Sequence, residues 1–128
     1  MHVTGIYAAL AALLVLVLAA RVSLARRRSG VGIGAGGDHE LGRRIRAHGN
    51  AVESLPIALL LLLLLDLGQT PPLWLHVFGV LLIVGRVLHA IGLSRSAGAS
   101  FGRMVGTVLT WGVTLTMAAL LLWKAAMY

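Results

Sequence analysis

Arg46-Ala47-His48-Gly49-Asn50-Ala51-Val52-Glu53-Ser54-Leu55-Pro56, running on into the leucine block at residues 59–65, decides how this chain is read. At 100° per residue, with Arg43 as origin, Arg46, Asn50 and Glu53 fall at about 300°, 340° and 280° around a helix. One polar stripe therefore lies on a helix that is about to enter an apolar phase. Ionisable groups at membrane depth are costly, so they face a bundle interior or a wet cavity and mark a site. The stripe offers a cation, an amide and an anion together, a set suited to a small zwitterion.

Composition names the apolar phase. Of 128 residues, 59% are hydrophobic and 12% charged, and the mean hydropathy is +0.92. A soluble domain of this size does not need so much apolar side chain, so the class is integral membrane protein. The chain has no cysteine, which excludes disulfides and a thiolate nucleophile of its own. The five histidines, His2, His39, His48, His76 and His89, show no ligand-pair spacing, and no metal site is expected. A net charge of +7 sits in short basic segments beside apolar runs. That pattern signals orientation and an anionic lipid surface rather than nucleic acid.

Four apolar stretches can each cross about 30 Å of hydrocarbon, which predicts one all-α domain over residues 1–128, a four-helix transmembrane bundle. The predicted spans are residues 6–25, 51–67, 73–93 and 104–123. The first lacks a basic leader, contains Arg21 near its end and is followed by Arg26, Arg27 and Arg28, so it reads as a retained span rather than a signal peptide. Ser29-Gly30-Val31-Gly32-Ile33-Gly34-Ala35-Gly36-Gly37 reads as a flexible loop, and Asp38 as the N-cap of the second helix. Pro56 predicts a bend there, and Gln69-Thr70-Pro71-Pro72 a short rigid turn.

Basic residues crowd the first and third connections and are absent from the second. The positive-inside rule then places both termini outside and both basic connections in the cytoplasm. Tyr7, Trp74 and Trp123 would form an aromatic belt at the opposite face.

In this topology Arg21, the Arg46/Asn50/Glu53 stripe, Arg86 and His89 share the cytoplasmic half of the bundle. Arg21 either snorkels to headgroups or turns inward. Arg86 lies too deep to snorkel with ease, and Glu53 is its nearest anion, so a purely structural Arg86–Glu53 bridge stands beside a ligand site. His89 shares the face of Arg86 at i+3 and, by itself, suits hydrogen-bonded packing. Arg43 is expected in solvent or on lipid, His48 at the headgroups, Asp66 solvated at a helix end, and His76 at the interface. Thr107, Thr110, Thr114 and Thr116 can bond back to their own helix and carry little functional weight. Gly106 and Gly112 permit close helix packing. Several arginines against one glutamate leave an excess of cation that an anionic ligand would relieve. A molecule with two carboxylates and one ammonium matches the set.

The helix-two segment from Arg46 to Pro56, with Gly85-Arg86-Val87-Leu88-His89-Ala90-Ile91-Gly92-Leu93-Ser94, resembles the MAPEG superfamily. These are membrane-associated proteins of eicosanoid and glutathione metabolism, such as microsomal glutathione transferases and prostaglandin E synthase. The likeness covers essentially the whole chain and is strongest to the short bacterial inner-membrane branch. It implies a homotrimer of four-helix bundles that binds glutathione between subunits from the cytoplasmic side. It further implies glutathione contacts at Arg21, Arg46, Asn50, Glu53, Arg86 and His89. Arg103, with Arg95 as the alternative, matches the residue that stabilises the thiolate. Three positions depart from the family pattern: Gly49, Leu93 and Met104 stand where an arginine, a tyrosine and a serine occur in relatives. The resemblance thus supports glutathione binding more strongly than turnover. The implied activity is transfer of glutathione to lipophilic electrophiles, or their reduction by it.

Two other classes compete. One is a non-catalytic membrane protein whose arginines hold anionic lipid or a partner. The other is a small multidrug exporter, which needs an unpaired carboxylate deep in a span for proton coupling. Glu53 sits among arginines that would keep it ionised, and the first span has no acid.

Overall fold

The structure, a computed structural model, describes residues 3–95, 98 and 100–127. His2 and, in the third connection, Ser96, Ala97 and Ala99 lie outside the described residues. The described residues form α1 (Val3–Ser29), α2 (His39–Leu67), α3 (Pro72–Arg95) and α4 (Phe101–Ala126), with no strand among them. All four helices are long and apolar enough to cross a membrane. At 1.5 Å per residue each exceeds the hydrocarbon thickness of about 30 Å, so their polar ends project into the headgroup layers. The chain is an all-α, multi-pass membrane bundle.

Helices α2 and α3 form the centre, and each packs against every other helix. α1 and α4 flank this pair on separate sides and do not meet among the described residues. Leu62, Leu65, Leu75, Leu82 and Met117 are fully buried between helices. Leu13, Leu16, Leu115 and Leu122 face outward. Lipid tails are as apolar as leucine, so burial of leucines alone does little to join helices, and close backbone approach matters more. Small residues supply that approach. Ala47, Ala51 and Ala58 are buried along α2, and Gly79, Gly85 and Gly92 along α3.

The second connection is tied from three sides. Thr70 N donates to the Leu65 carbonyl at 3.0 Å, closing the end of α2. Lys124 Nζ donates from α4 to the Gly68 carbonyl at 2.8 Å and to Thr70 Oγ1 at 3.0 Å. Thr4 N at the start of α1 donates to Asp66 Oδ2 at 2.8 Å. Asp66 is therefore not simply solvated, as its place at a helix end suggested; it accepts one of the N–H groups that a helix start leaves without an internal partner.

Tyr7 also departs from expectation. It is 5% exposed and no member of an aromatic belt, whereas Trp74 and Trp123 do face outward. Its ring lies over Gly79, where a Cβ would come within 2.3 Å of it. Its hydroxyl meets His76 Nδ1 at 2.8 Å. Tyr7→Phe keeps the ring and removes this bond. We expect about 1 kcal/mol of stability to be lost, read as a lower thermal midpoint in detergent. An unchanged midpoint would show that the hydroxyl contributes nothing.

At the other end the glycine-rich connection is held by hydrogen bonds rather than left loose. Gly30, Gly34, Gly36 and Gly37 take positive φ, which side chains with a Cβ adopt at a cost. Arg26 Nη1 donates to the Gly34 carbonyl at 2.8 Å and to the Val31 carbonyl at 3.4 Å, so this arginine staples the loop. Arg27 and Arg28 remain exposed. Asp38 caps α2 as expected, accepting from Glu40 N at 2.9 Å and Leu41 N at 3.1 Å.

Candidate functional site

The stapled loop and the basic ends of three helices border an open cavity of about 390 Å³. Ala35, Gly37 and Asp38 come from the loop, and His39, Gly42, Arg43, Arg46 and Asn50 from α2. His89 and Leu93 come from α3, and Arg103 from α4. The volume lies within the usual range for small-molecule sites. Glycine governs how close α4 comes. A Cβ at Gly92 would lie 2.5 Å from Arg103 N, so the start of α4 rests directly on α3 beside His89 and Leu93. Ser100 caps this start by accepting from Arg103 N at 3.3 Å. Arg103 Nη1 donates to the Gly98 carbonyl at 3.2 Å.

Beneath the cavity Arg86 joins three helices. It is 3% exposed. Its Nε donates to Thr110 Oγ1 at 2.7 Å, and its Nη2 to the Gly106 carbonyl at 3.1 Å, both on α4. Its Nη1 donates to Asn50 Oδ1 and, at 3.3 Å, to Ser54 Oγ on α2. An Arg86–Glu53 bridge is therefore absent, and neutral oxygens take its place. The geometry explains this. Glu53 lies about 60° round α2 from Asn50 and edges a groove between α2 and α4. Thr110 has more weight than its back-bonding pattern implied. Its hydroxyl donates to the Gly106 carbonyl at 2.8 Å while accepting from Arg86. Nothing in the sequence links Arg86 to Thr110, because they lie on different helices.

Glu53 instead faces Arg46, Oε1 to Nη1 at 3.6 Å, with the two side chains 62% and 61% exposed. Glu53 and Ser54 also edge a groove of about 480 Å³ between α2 and α4, whose other walls include Ile57, Trp111, Leu115 and Ala118. The polar cavity and this more apolar groove meet at the Arg46–Glu53 pair.

Of the residues expected at the site, Arg46, Asn50, His89 and Arg103 line the cavity, and Arg86 supports it through Asn50. Arg21 does not reach it within one chain; its Nη1 donates to Ser94 Oγ at 3.5 Å. Arg95 is exposed and is not among the lining residues. Arg43, expected in solvent or on lipid, stands instead in the cavity wall. It is half-buried there, and its Nε is buried with no hydrogen-bond partner. The signal was present in the helical angle, since Arg43 at 0° neighbours Asn50 at about 340°.

Three of the lining side chains, Arg43, Arg46 and Arg103, thus carry guanidinium groups. The carboxylate of Asp38 is committed through Oδ1 to its own helix cap. Such a cavity favours an anion with several hydrogen-bond acceptors. Four membrane helices with a cationic, amide-bearing cavity at one end define a class, the small all-α multi-pass membrane proteins. Within that class the chain belongs to the MAPEG family, whose model matches residues 4–123. It is similar to inner membrane protein YecN of Escherichia coli strain K12, with 36% identity over 121 residues, covering 94% of this chain and 91% of that protein. The protein of the same name from Escherichia coli O6:H1 matches with the same figures.

Proposed function

We propose that this protein binds glutathione in the cavity at its basic end and presents the thiol to lipophilic electrophiles from the bilayer. It would act as a membrane glutathione transferase or glutathione-dependent peroxidase. The observation that carries this reading is the convergence of Arg46, Asn50, His89 and Arg103, from three helices, on one cavity. Glutathione has two carboxylates and one ammonium. The guanidinium groups match the carboxylates, and Glu53 matches the ammonium. The groove running from Glu53 past Ile57 and Trp111 suits an apolar co-substrate arriving through lipid.

In the transfer reaction the thiol loses its proton to solvent. Its sulfur then forms a bond to the electrophilic carbon, and the departing group leaves with the bonding electron pair. In the peroxidase reaction two glutathione molecules are oxidised to the disulfide as a hydroperoxide is reduced to an alcohol and water. Either route needs thiolate, and a guanidinium within about 4–6 Å favours thiolate over thiol. Arg103 holds that role in our reading, with Arg95 as the alternative.

The Arg46–Glu53 pair is largely exposed near the start of the apolar part of α2. Charged groups there are better covered by protein than by lipid. A second copy of the chain would cover them, which supports an oligomer with sites at subunit boundaries, a homotrimer by resemblance to the family, and brings Arg21 of α1 into contention. We place the protein in a bacterial inner membrane, with both termini outside and the cavity open to the cytoplasm.

Ultraviolet difference spectroscopy tests the reading. Glutathione added to purified protein should raise the thiolate absorbance. Arg103→Ala should cut that signal about tenfold, a shift of one unit in the thiol's pKa, while glutathione affinity holds. Full thiolate signal and turnover in the variant would remove Arg103 from the mechanism. Absence of calorimetric glutathione binding at millimolar concentrations would favour an anionic-lipid or partner site instead.

A further inference from the structure

A separate open pocket of about 200 Å³ lies between α1 and α2 at their basic ends, bordered by Arg28 of α1 and by Asp38, Glu40 and Arg44 at the start of α2. Asp38 also stands in the wall of the larger cavity, but Arg28, Glu40 and Arg44 do not. Neither α3 nor α4 takes part. Two guanidinium groups and two carboxylates balance in charge, so this pocket suits a zwitterion rather than an anion.

Each of the four groups has hydrogen-bonding capacity left over. Arg28 is exposed and has no hydrogen bond or ion pair among the described residues. Arg44 donates to Glu40 Oε1 and, at 3.4 Å, to the Arg21 carbonyl, which engages two of its five N–H groups. Asp38 caps α2 through Oδ1 alone, at 2.9 Å and 3.1 Å, and Glu40 meets Arg44 through Oε1 alone. Oδ2 of Asp38 and Oε2 of Glu40 accept from nothing among the described residues.

The order of these charges along α2 selects the ligand. Arg44 lies one turn, about 6 Å, beyond Glu40 in the direction of the leucine block. Cation is therefore deeper towards the membrane and anion shallower. A phospholipid headgroup has the matching order, with phosphate next to the glycerol and its amine further out. Leu24, one turn before Arg28 on the membrane side, is 52% exposed and offers apolar surface to an acyl chain. We propose that this pocket holds the headgroup of a phospholipid with a primary ammonium, its phosphate on Arg44 and Arg28 and its ammonium on Glu40 and Asp38. A primary ammonium has three N–H donors for the two open carboxylate oxygens, whereas a trimethylammonium has none. The site stands apart from the glutathione reading, since it shares only Asp38 with the larger cavity.

Native mass spectrometry of the full-length protein tests this, with phosphatidylethanolamine and phosphatidylcholine of identical acyl chains offered in equal amounts. Wild type retains the ethanolamine lipid over the choline lipid by about tenfold, the value of one charge-assisted hydrogen-bonded contact. In Asp38→Asn/Glu40→Gln this preference collapses towards unity while both lipids still bind. Asparagine keeps the cap acceptor, and an exposed i,i+4 ion pair contributes little to folding, so the variant keeps its structure. Because the preference is a ratio within each protein, partial unfolding does not mimic the result. Arg28→Gln/Arg44→Gln lowers retention of both lipids by a similar factor, because both carry the phosphate. Equal retention of the two lipids by wild type, a preference that survives in Asp38→Asn/Glu40→Gln, or retention unchanged in Arg28→Gln/Arg44→Gln overturns the proposal. So does phosphatidylglycerol outcompeting phosphatidylethanolamine on wild type, which would make the pocket a general anionic-lipid patch.

Discussion

Arg86→Ala lowers stability by about 3 kcal/mol, the largest effect we expect from any polar substitution in this protein. The arginine is buried at the crossing of α2, α3 and α4, and it donates to Asn50, Ser54, Thr110 and the Gly106 carbonyl. Truncation removes all of these donors and leaves the space of the side chain unfilled. Thr110 keeps its bond to Gly106, so the loss concentrates on Asn50 and on packing. Arg86→Lys keeps the charge but not the planar fork, and a single ammonium cannot span oxygens on two helices as five N–H groups do. It should restore about half of the lost stability. Thermal unfolding in detergent, followed by circular dichroism, measures both variants. A midpoint for Arg86→Ala equal to wild type would show that the interhelical hydrogen bonds do not hold the bundle.

Gly106→Val is the second large effect, and its cause is steric. A Cβ at Gly106 would lie 2.4 Å from the Gly85 carbonyl oxygen and 2.6 Å from His89 N. Both are backbone atoms, and neither can rotate away. α4 must therefore lift from α3, which costs about 3 kcal/mol or more, at the upper end for overpacked cores. Because His89 and Arg103 sit on the two helices being separated, glutathione binding should weaken along with stability. Gly112→Ala is the control. Nothing lies within 4 Å of a Cβ there, so alanine should be neutral or gain about 0.5–1 kcal/mol from helix propensity. Equal destabilisation by both substitutions would mean that glycine acts through the helix itself, not through the α3–α4 contact.

These two glycines show how far the sequence can be read. Both look like packing positions in the chain, yet Gly106 meets a neighbouring backbone and Gly112 meets nothing. The helices themselves are apolar on most of their circumference, so polarity does not mark which face turns inward. Leu62 is fully buried and Leu64 is not, though they belong to one leucine run. The polar residues are different. Arg46 and Asn50 are few, costly at membrane depth and share one helical face, which is why part of the candidate site could be named before its geometry was known. Partners across helices could not. Arg86 finds neutral oxygens rather than Glu53, Asp66 finds the first turn of α1, and Tyr7 turns inward to His76.

The chain alone determined its phase, its helix count and the polar set on α2. Hydropathy and helical angle are local properties, summed over neighbours in sequence. Only the tertiary structure decided that Arg43 walls a cavity, that Thr110 shares Arg86, and that Arg21 stands apart. Those outcomes depend on which backbones approach most closely, and glycine contacts between α3 and α4 set that distance.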